Sequence, residues 1–227
     1  SPPKESLGEV MSQQSILVTG GAGYIGSICV ERLLAEGHTV TVLDNLSVGH
    51  RAAVASEAAF HQADIGNLAA LRVVLKQAQP EAILHFAGSA LVGESMEQPL
   101  KYFQNNTANA LNLLHCAAEF GVGKFIFSST CSTYGIPETI PISEATPQQP
   151  VNPYGESKRM FEQMLNWHAQ QTNPEAVIFR YFNAAGATVK LGEHHEPETH
   201  LIPRILQTAL GRHESFSIFG TEHPTPD

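Results

Sequence analysis

The chain has 227 residues, 42% of them hydrophobic, and its 13 basic and 22 acidic side chains give a formal net charge of −9. This length suffices for one large domain or two modest ones with a core of their own. The acidic balance argues against a nucleic-acid or anionic-membrane partner, and no apolar run approaches the roughly 20 residues of a membrane-spanning helix.

The first residues are predicted to lie outside the fold. Ser1 to Val10 carries prolines and alternating charges without an apolar core, so it does not read as a signal peptide. We interpret residues 1–11 as a disordered lead or a remnant of expression, with Met11 as a candidate natural start. The three cysteines are far apart and odd in number, which indicates neither a disulfide framework nor a zinc site and favours a cytoplasmic protein.

Short apolar runs alternate with helical patterns along most of the chain. The runs predict strands at 16–19, 39–43, 60–62, 82–86, 125–128 and 177–181. Helical spacing between them predicts helices at 25–36, 67–79, 99–120 and 154–170. Continuous apolar strands that alternate with helices are typical of a parallel sheet covered on both faces. We therefore predict a doubly wound α/β domain, a Rossmann fold, over residues 12–185.

The character of the sequence changes after Asn183. Residues 186–199 are polar and contain proline, residues 201–210 have the spacing of a helix, and Phe216 to Phe219 predicts a short strand. We interpret residues 186–227 as an incomplete, smaller domain that binds substrate.

A glycine-rich turn lies between the first predicted strand and the first predicted helix. Gly20 permits the tight turn, Gly23 lets the backbone approach a pyrophosphate, and Gly26 allows close packing of helix on strand. The helix N-terminus then faces the phosphate charge. Asp44 ends the second strand, where a carboxylate accepts from a ribose hydroxyl and repels a 2′-phosphate. The pattern predicts a dinucleotide site that prefers NAD to NADP.

A tyrosine and a lysine lie one turn apart on a later predicted helix. The ammonium of Lys158 would favour the ionised phenol of Tyr154 and lower its pKa, which makes a general base for a sugar hydroxyl. Ser128 to Thr130 ends the fifth strand, so a hydroxyl there reaches the same sheet edge. A tyrosine and a lysine one turn apart are, taken alone, commonly an ordinary pair on a helix surface. Their combination with the glycine turn and the strand-end hydroxyls favours a catalytic site.

These motifs resemble those of the extended short-chain dehydrogenase/reductase family, and within it those of the UDP-glucose (UDP-galactose) 4-epimerases. The resemblance covers almost the whole chain from Ser15 onward. The matching stretches are VTGGAGYIGS (18–27), LDNLS (43–47), HFAG with VGES (85–95), FIFSST with YG (125–135), NPYGESK (152–158), RYFNAAG (180–186) and HLIPRILQTALGR with IFG (200–220).

The resemblance implies an isomerase that holds NAD tightly and uses it catalytically on a UDP-sugar. Tyr154 would take the proton from the C4 hydroxyl while hydride moves to the nicotinamide. Lys158 would hold the nicotinamide ribose, and Thr130 would hydrogen-bond the C4 oxygen. The 4-keto sugar would turn over and take the hydride back on its other face. A homodimer with a four-helix interface, built on the helix that carries Tyr154, is also implied.

The resemblance further implies two sets of binding residues. The expected cofactor contacts are Gly20, Gly23, Tyr24, Ile25, Gly26, Asp44, Asn45, Asp64, Ile65, Phe86, Ala87, Asn105, Ser128, Tyr154, Lys158 and Tyr181. The expected UDP-sugar contacts are Thr130, Tyr154, Asn183, His200, Leu201, Ser217, Ile218 and Phe219. The family's chains continue past Asp227 and supply an arginine for the diphosphate.

Several alternatives remain beside this interpretation. A nucleotide-sugar 4,6-dehydratase needs an Asp-Glu pair after the strand-end threonine, where this chain has Cys131-Ser132. An epimerase for UDP-xylose and UDP-arabinose or for UDP-N-acetylhexosamines stays open, as does a non-catalytic NAD-binding fragment. His194, His195 and His200 suggest a metal, but their loop setting and the absence of a nearby cysteine predict that no metal is bound.

Overall fold

The computed structural model describes residues 12–217, with the exception of 173 and 197. Its internal contacts divide the chain into two compact units, one up to Ala184 and one from Ala185 onward. The predicted lead at 1–11 and the predicted sugar contacts Ile218 and Phe219 lie outside the described residues.

A six-stranded parallel sheet forms the centre of the first unit and confirms the predicted α/β class. The strands are β1 (Ser15–Thr19), β2 (Thr39–Asp44), β3 (Ala59–Gln62), β4 (Ala82–His85), β5 (Lys124–Thr130) and β6 (Glu175–Tyr181). The sheet order is β3-β2-β1-β4-β5-β6, so the order reverses where β1 pairs with β4. Ligand sites in such sheets lie at the carboxyl ends of the strands beside this reversal.

Helices cover the sheet on both faces. The neighbouring residues Leu17 and Val18 of β1 belong to two different buried clusters, one with residues of α2, α5 and α6 and the other with Val30 of α1. Burial on both faces explains why the strands are apolar without alternation. None of the helices within the described ranges is long and apolar enough to cross a membrane. The helices are α1 (Tyr24–Ala35), α2 (Leu68–Ala78), α3 (Val92–Glu97), α4 (Pro99–Tyr102), α5 (Ala110–Glu119), α6 (Pro153–Thr172) and α7 (Leu201–Ala209).

The single helix predicted at 99–120 is interrupted. Between α4 and α5 the chain forms a π-helical segment, Phe103–Asn109, in which each turn holds an additional residue. Within it, Asn106 Nδ2 donates to the Ser89 carbonyl at 2.9 Å and to Ser157 Oγ at 3.1 Å. The segment therefore ties the loop after β4 to the beginning of α6, and these tertiary bonds account for the departure from a regular helix.

Two further differences concern short elements. The helix α3 was not predicted, because its six residues are too few for a clear periodicity. Of the strand predicted from Phe216 to Phe219, the structure describes only Phe216 and Ser217, and these two residues belong to no strand.

Candidate functional site

The glycine turn lies at the carboxyl end of β1, beside the reversal of the sheet. Gly20 has a φ of +74°, and a Cβ on it would lie 2.5 Å from the backbone nitrogen of Ala87. A Cβ on Gly26 would collide with the Gly20 carbonyl oxygen. Gly23 caps α1 without a side chain, and the first turn of that helix carries no acidic residue. The helix N-terminus is thus electrostatically suited to an anion.

Replacement of Gly26 by alanine is expected to lower the free energy of unfolding by about 1 to 3 kcal/mol, because the added methyl group forces α1 away from the turn. Chemical denaturation of the purified chain measures this loss. Gly93→Ala is a matched control, since a Cβ at Gly93 meets no atom within 4 Å. An equal effect of the two substitutions would contradict the steric argument.

Asp44 holds the glycine turn against the end of β2. Its Oδ2 accepts from the backbone N–H of Ala22 at 3.0 Å, and its Oδ1 accepts from that of Leu46 at 2.8 Å. The side chain was predicted as a ribose acceptor only. The structure adds a second function, which is to fix the turn on which a dinucleotide would lie.

Asn45 and Asp64 connect the ends of the two neighbouring strands β2 and β3. Asn45 Nδ2 donates to Asp64 Oδ2 at 2.7 Å, and the backbone N–H of Gly66 donates to Asp64 Oδ1 at 2.6 Å. Ile65, which lies between Asp64 and Gly66 in the chain, is buried. All these predicted cofactor residues therefore lie at the same edge of the sheet as the glycine turn.

The residues after β4 lie against the same turn. The backbone N–H groups of Phe86 and Ala87 both donate to the Thr19 carbonyl, at 2.9 and 3.0 Å. His85, which ends β4, is fully buried with its Nδ1 2.7 Å from Thr19 Oγ1. Burial, followed by repulsion from Lys158, lowers the pKa of His85 to about 3. We therefore expect this histidine to be neutral at physiological pH.

Tyr154 and Thr130 meet where α6 begins and β5 ends. Burial raises the pKa of Tyr154, and its hydrogen bond with the Thr130 hydroxyl opposes that rise. The sequence predicted a lowered pKa under the influence of Lys158. In the structure the Lys158 ammonium instead donates to the Ser128 carbonyl at 3.1 Å, and desolvation dominates at the phenol.

Lys158 is a buried cation. Burial lowers its pKa to about 8, and the nearby negative charge of Glu162 counteracts part of that shift. Its Nζ lies 5.0 Å from the centre of the Phe127 ring, and a Cβ on Gly88 would come within 3.1 Å of it. Because Gly88 directly follows Ala87, Lys158 lies beside the segment that contacts the glycine turn.

A buried ion pair behind Lys158 was missed by sequence reasoning. Glu162 is 1% exposed and accepts from Ser129 Oγ, from Gln148 Nε2 at 2.8 Å and from Arg180 Nη2 at 2.7 Å. Arg180 Nη1 in turn donates to the hydroxyl of Tyr134 at 2.7 Å. The sequence offered one signal for Glu162, which is its position one helical turn after Lys158. For Arg180 it offered only the place of this residue in the stretch RYFNAAG (180–186), which matches the family.

The remaining predicted residues lie in several places. Tyr24 and Ile25 open α1, and Asn105 in the π-helical segment donates to Ser89 Oγ at 3.0 Å. Tyr181 ends β6, with its ring stacked on Phe179, and Asn183 is exposed just after it. In the second unit, His200 and Leu201 stand at the beginning of α7, and Ser217 is exposed.

The chain is similar to known proteins over nearly its whole length. The model of the "NAD dependent epimerase/dehydratase family" matches residues 16–227. A UDP-glucose 4-epimerase of Streptococcus mutans is 51% identical over 217 residues, which cover 94% of this chain and 65% of that protein. This chain therefore spans less than two thirds of that relative's length.

Solved structures agree with this match. The crystal structure of UDP-glucose 4-epimerase from Brucella ovis in complex with NAD is 44% identical, with a TM-score of 0.90 over 93% of this chain and 66% of that one. That of the Bifidobacterium longum enzyme with NAD+ and UDP is 33% identical, with a TM-score of 0.87 over 93% of this chain and 67% of that one. By its sequence, its sheet order and its glycine turn, the chain belongs to the NAD-dependent epimerase/dehydratase family.

Proposed function

We propose that this chain carries the cofactor site and the catalytic groups of an NAD-dependent UDP-glucose 4-epimerase, which interconverts UDP-galactose and UDP-glucose through a transient 4-keto sugar. The observation that carries the proposal is the meeting of two sites at one sheet edge. Ala87 lies against Gly20 of the turn, and the adjacent Gly88 lies against Lys158, one helical turn from Tyr154. The relatives named above are UDP-glucose 4-epimerases, and one of them was solved with NAD+ and UDP.

The residues present fit NAD. The glycine turn leaves no room for side chains at Gly20 and Gly26, and the uncapped start of α1 is suited to a pyrophosphate. Asp44, already fixed by two backbone donors, presents a carboxylate at the position that discriminates against a 2′-phosphate. When bound, NAD supplies the acceptor for a hydride from the sugar and returns that hydride.

The chain's own groups handle the proton of the sugar hydroxyl. The Tyr154 phenol is the proposed base, and the Thr130 hydroxyl bonded to it favours its ionised form. Lys158, cationic below its pKa of about 8, supplies positive charge to the site. Glu162 stabilises that charge from behind, which keeps the lysine protonated in a buried place.

The decisive experiment is a spectroscopic titration of the purified, NAD-loaded chain with UDP-glucose. We expect the absorbance band of reduced nicotinamide to grow, and UDP-galactose to appear as product. UDP alone is the control, because it carries the nucleotide without a sugar to oxidise. Bound NAD without a response to any UDP-sugar would overturn the proposal in favour of a non-catalytic NAD-binding fragment. A response only to UDP-xylose or a UDP-N-acetylhexosamine would favour the other epimerases.

The expected domain division, homodimer and cytoplasmic location are part of the proposal. The boundary between the two compact units, which lies between Ala184 and Ala185, supports an NAD-binding domain at 12–185 and part of a substrate-binding domain at 186–227. Trp167 of α6 is 67% exposed, and it is a side chain that a four-helix interface would cover. The location in the cytoplasm stays a prediction from the cysteines.

A further inference from the structure

The second unit contains a cluster of four side chains of types that can ligate a metal ion. We call Glu193, His195, Glu198 and His200 the glutamate–histidine cluster. One possible ligand atom from each of them lies within 4.8 Å of all the others. All four residues belong to the segment that leads into α7, whose N-cap is His200.

The cluster brings two largely buried carboxylates together. The side chains of Glu193 and Glu198 are only 12% and 8% exposed. Glu198 Oε1 accepts from the His200 backbone N–H at 2.8 Å, and His200 Nδ1 lies 3.0 Å from Glu193 Oε1 and 2.9 Å from Glu198 Oε1, although one ring nitrogen carries at most one hydrogen. Buried carboxylates are costly unless a positive charge compensates them.

His195 provides an independent sign that a ligand is needed. Its Nδ1 is buried yet has no hydrogen-bond partner among the described residues. This nitrogen lies 3.4 Å from Glu193 Oε1 and 3.8 Å from Glu198 Oε2. Buried polar atoms are nearly always satisfied in proteins, so an orphan nitrogen that faces two carboxylates points to a cation between them.

The spacing of the ligand atoms fits a tetrahedral ion. Bonds of about 2.0–2.1 Å from a central zinc ion to nitrogen and oxygen place the ligands about 3.3 Å apart. The nitrogen-to-oxygen separations in the cluster range from 2.9 to 3.8 Å, with His200 measured to Glu198 Oε1 and His195 to Glu198 Oε2, and a set of one ligand atom from each residue lies within 4.8 Å. Small movements of the side chains would therefore complete the coordination. Two imidazoles with two carboxylates also suit zinc and its neighbours and neutralise their double charge.

We propose that the glutamate–histidine cluster binds one divalent transition-metal ion of the zinc type, with all four ligands supplied by the chain. A site without an open position is structural rather than catalytic. The ion would fix the polar segment before α7 and the orientation of His200. Sequence reasoning expected no metal because it weighed the histidines and the missing cysteines, whereas half of these ligands are glutamates. The proposal shares His200 with the expected UDP-sugar contacts, so its test is made without sugar.

Calorimetric titration of the chelator-treated chain with Zn²⁺ tests the proposal, and it needs neither NAD nor sugar. We expect one tightly bound ion per chain, and we expect His195→Ala, which removes a ligand, to weaken binding by more than the about 10- to 100-fold that loss of an outer-shell partner costs. His194→Ala is the matched control, because the His194 side chain is 62% exposed and lies outside the cluster. Glu193→Gln, which keeps the shape of the side chain, guards against a mere folding defect of the alanine variant.

Titration with Co²⁺ gives a second readout, since a tetrahedral site produces intense visible absorption bands. We expect these bands in the parent chain and in His194→Ala, and not in His195→Ala or Glu193→Gln. Weak binding of several ions that all variants share would overturn the proposal and indicate adventitious binding to exposed histidines. Zinc binding without any tetrahedral cobalt spectrum would overturn the assigned geometry and ligand set.

Discussion

Tyr154→Phe is expected to lower the rate of epimerisation by about 10²- to 10⁴-fold with NAD still bound, as the proposed function requires. The substitution removes the hydroxyl that meets Thr130 and keeps the ring, which packs edge-on against Tyr102 at 6.3 Å between centroids. The measurements are the turnover number with UDP-galactose and the growth of the reduced-nicotinamide band.

Tyr102→Phe provides the matched control for Tyr154→Phe. Tyr102 is buried, and its substitution also removes a tyrosine hydroxyl. The hydroxyl oxygen of Tyr102 lies 2.7 Å from Glu94 Oε2 and 2.7 Å from the Leu91 carbonyl oxygen. We expect this variant to lose stability and to retain the chemistry, because one acceptor loses the single hydroxyl hydrogen and the Leu91 backbone N–H, 3.1 Å from that oxygen, loses its acceptor. A Tyr154→Phe variant that turns over as fast as Tyr102→Phe would remove Tyr154 from the proposed mechanism.

Arg180→Met is expected to lower the free energy of unfolding by about 3 to 5 kcal/mol, because it leaves the carboxylate of Glu162 buried without its guanidinium partner. Arg180 contacts both carboxylate oxygens of Glu162, which is 1% exposed. The methionine retains most of the aliphatic volume, so the loss reports on charge. Urea denaturation monitored by circular dichroism measures the effect.

Arg72→Met is the control for this ion pair. Arg72 Nε lies 2.9 Å from Glu119 Oε2, but both side chains are about two-fifths exposed, at 44% and 39%. Removing such a solvated pair costs about 1 kcal/mol or less. In addition, the double variant Glu162→Met with Arg180→Met should recover part of the stability, since neither charge of the pair is left without its partner; the recovery is incomplete because Lys158 loses the nearby charge of Glu162. Equal losses for Arg180→Met and Arg72→Met would show that burial does not determine the strength of the pair.

The strands and the glycine turn were predictable because local sequence determines them. Leu17 and Val18 are both buried, on opposite faces of the sheet, so the strand reads as an unbroken apolar run. Within the turn, Gly20 is favoured by its positive φ and Gly26 by its close contact with the Gly20 carbonyl oxygen. The family resemblance then placed Tyr154 and Thr130 at a common edge, where the structure brings them into contact.

Features that depend on distant contacts were not predictable from the residues alone. Glu162 and Arg180 lie on a helix and a strand, and as single residues they resemble ordinary surface charges. The raised pKa of Tyr154 follows from burial, which no local motif reports. Glu193 and Glu198 were overlooked as ligands because their convergence on His200 depends on the path of an irregular segment.

The π-helical segment also limits how the length of this part of the chain can vary. A π-helical turn holds about one residue more than an α-helical turn, so a single deletion from Phe103–Asn109 would give a regular α-helix whose later residues keep nearly the same rotational position. Leu113 and Leu114 would therefore stay in the buried cluster that they share with Leu71 of α2. The deletion would instead take Asn106 away from Ser89 and Ser157, so a change of length here would loosen the loop after β4 while the core stays intact.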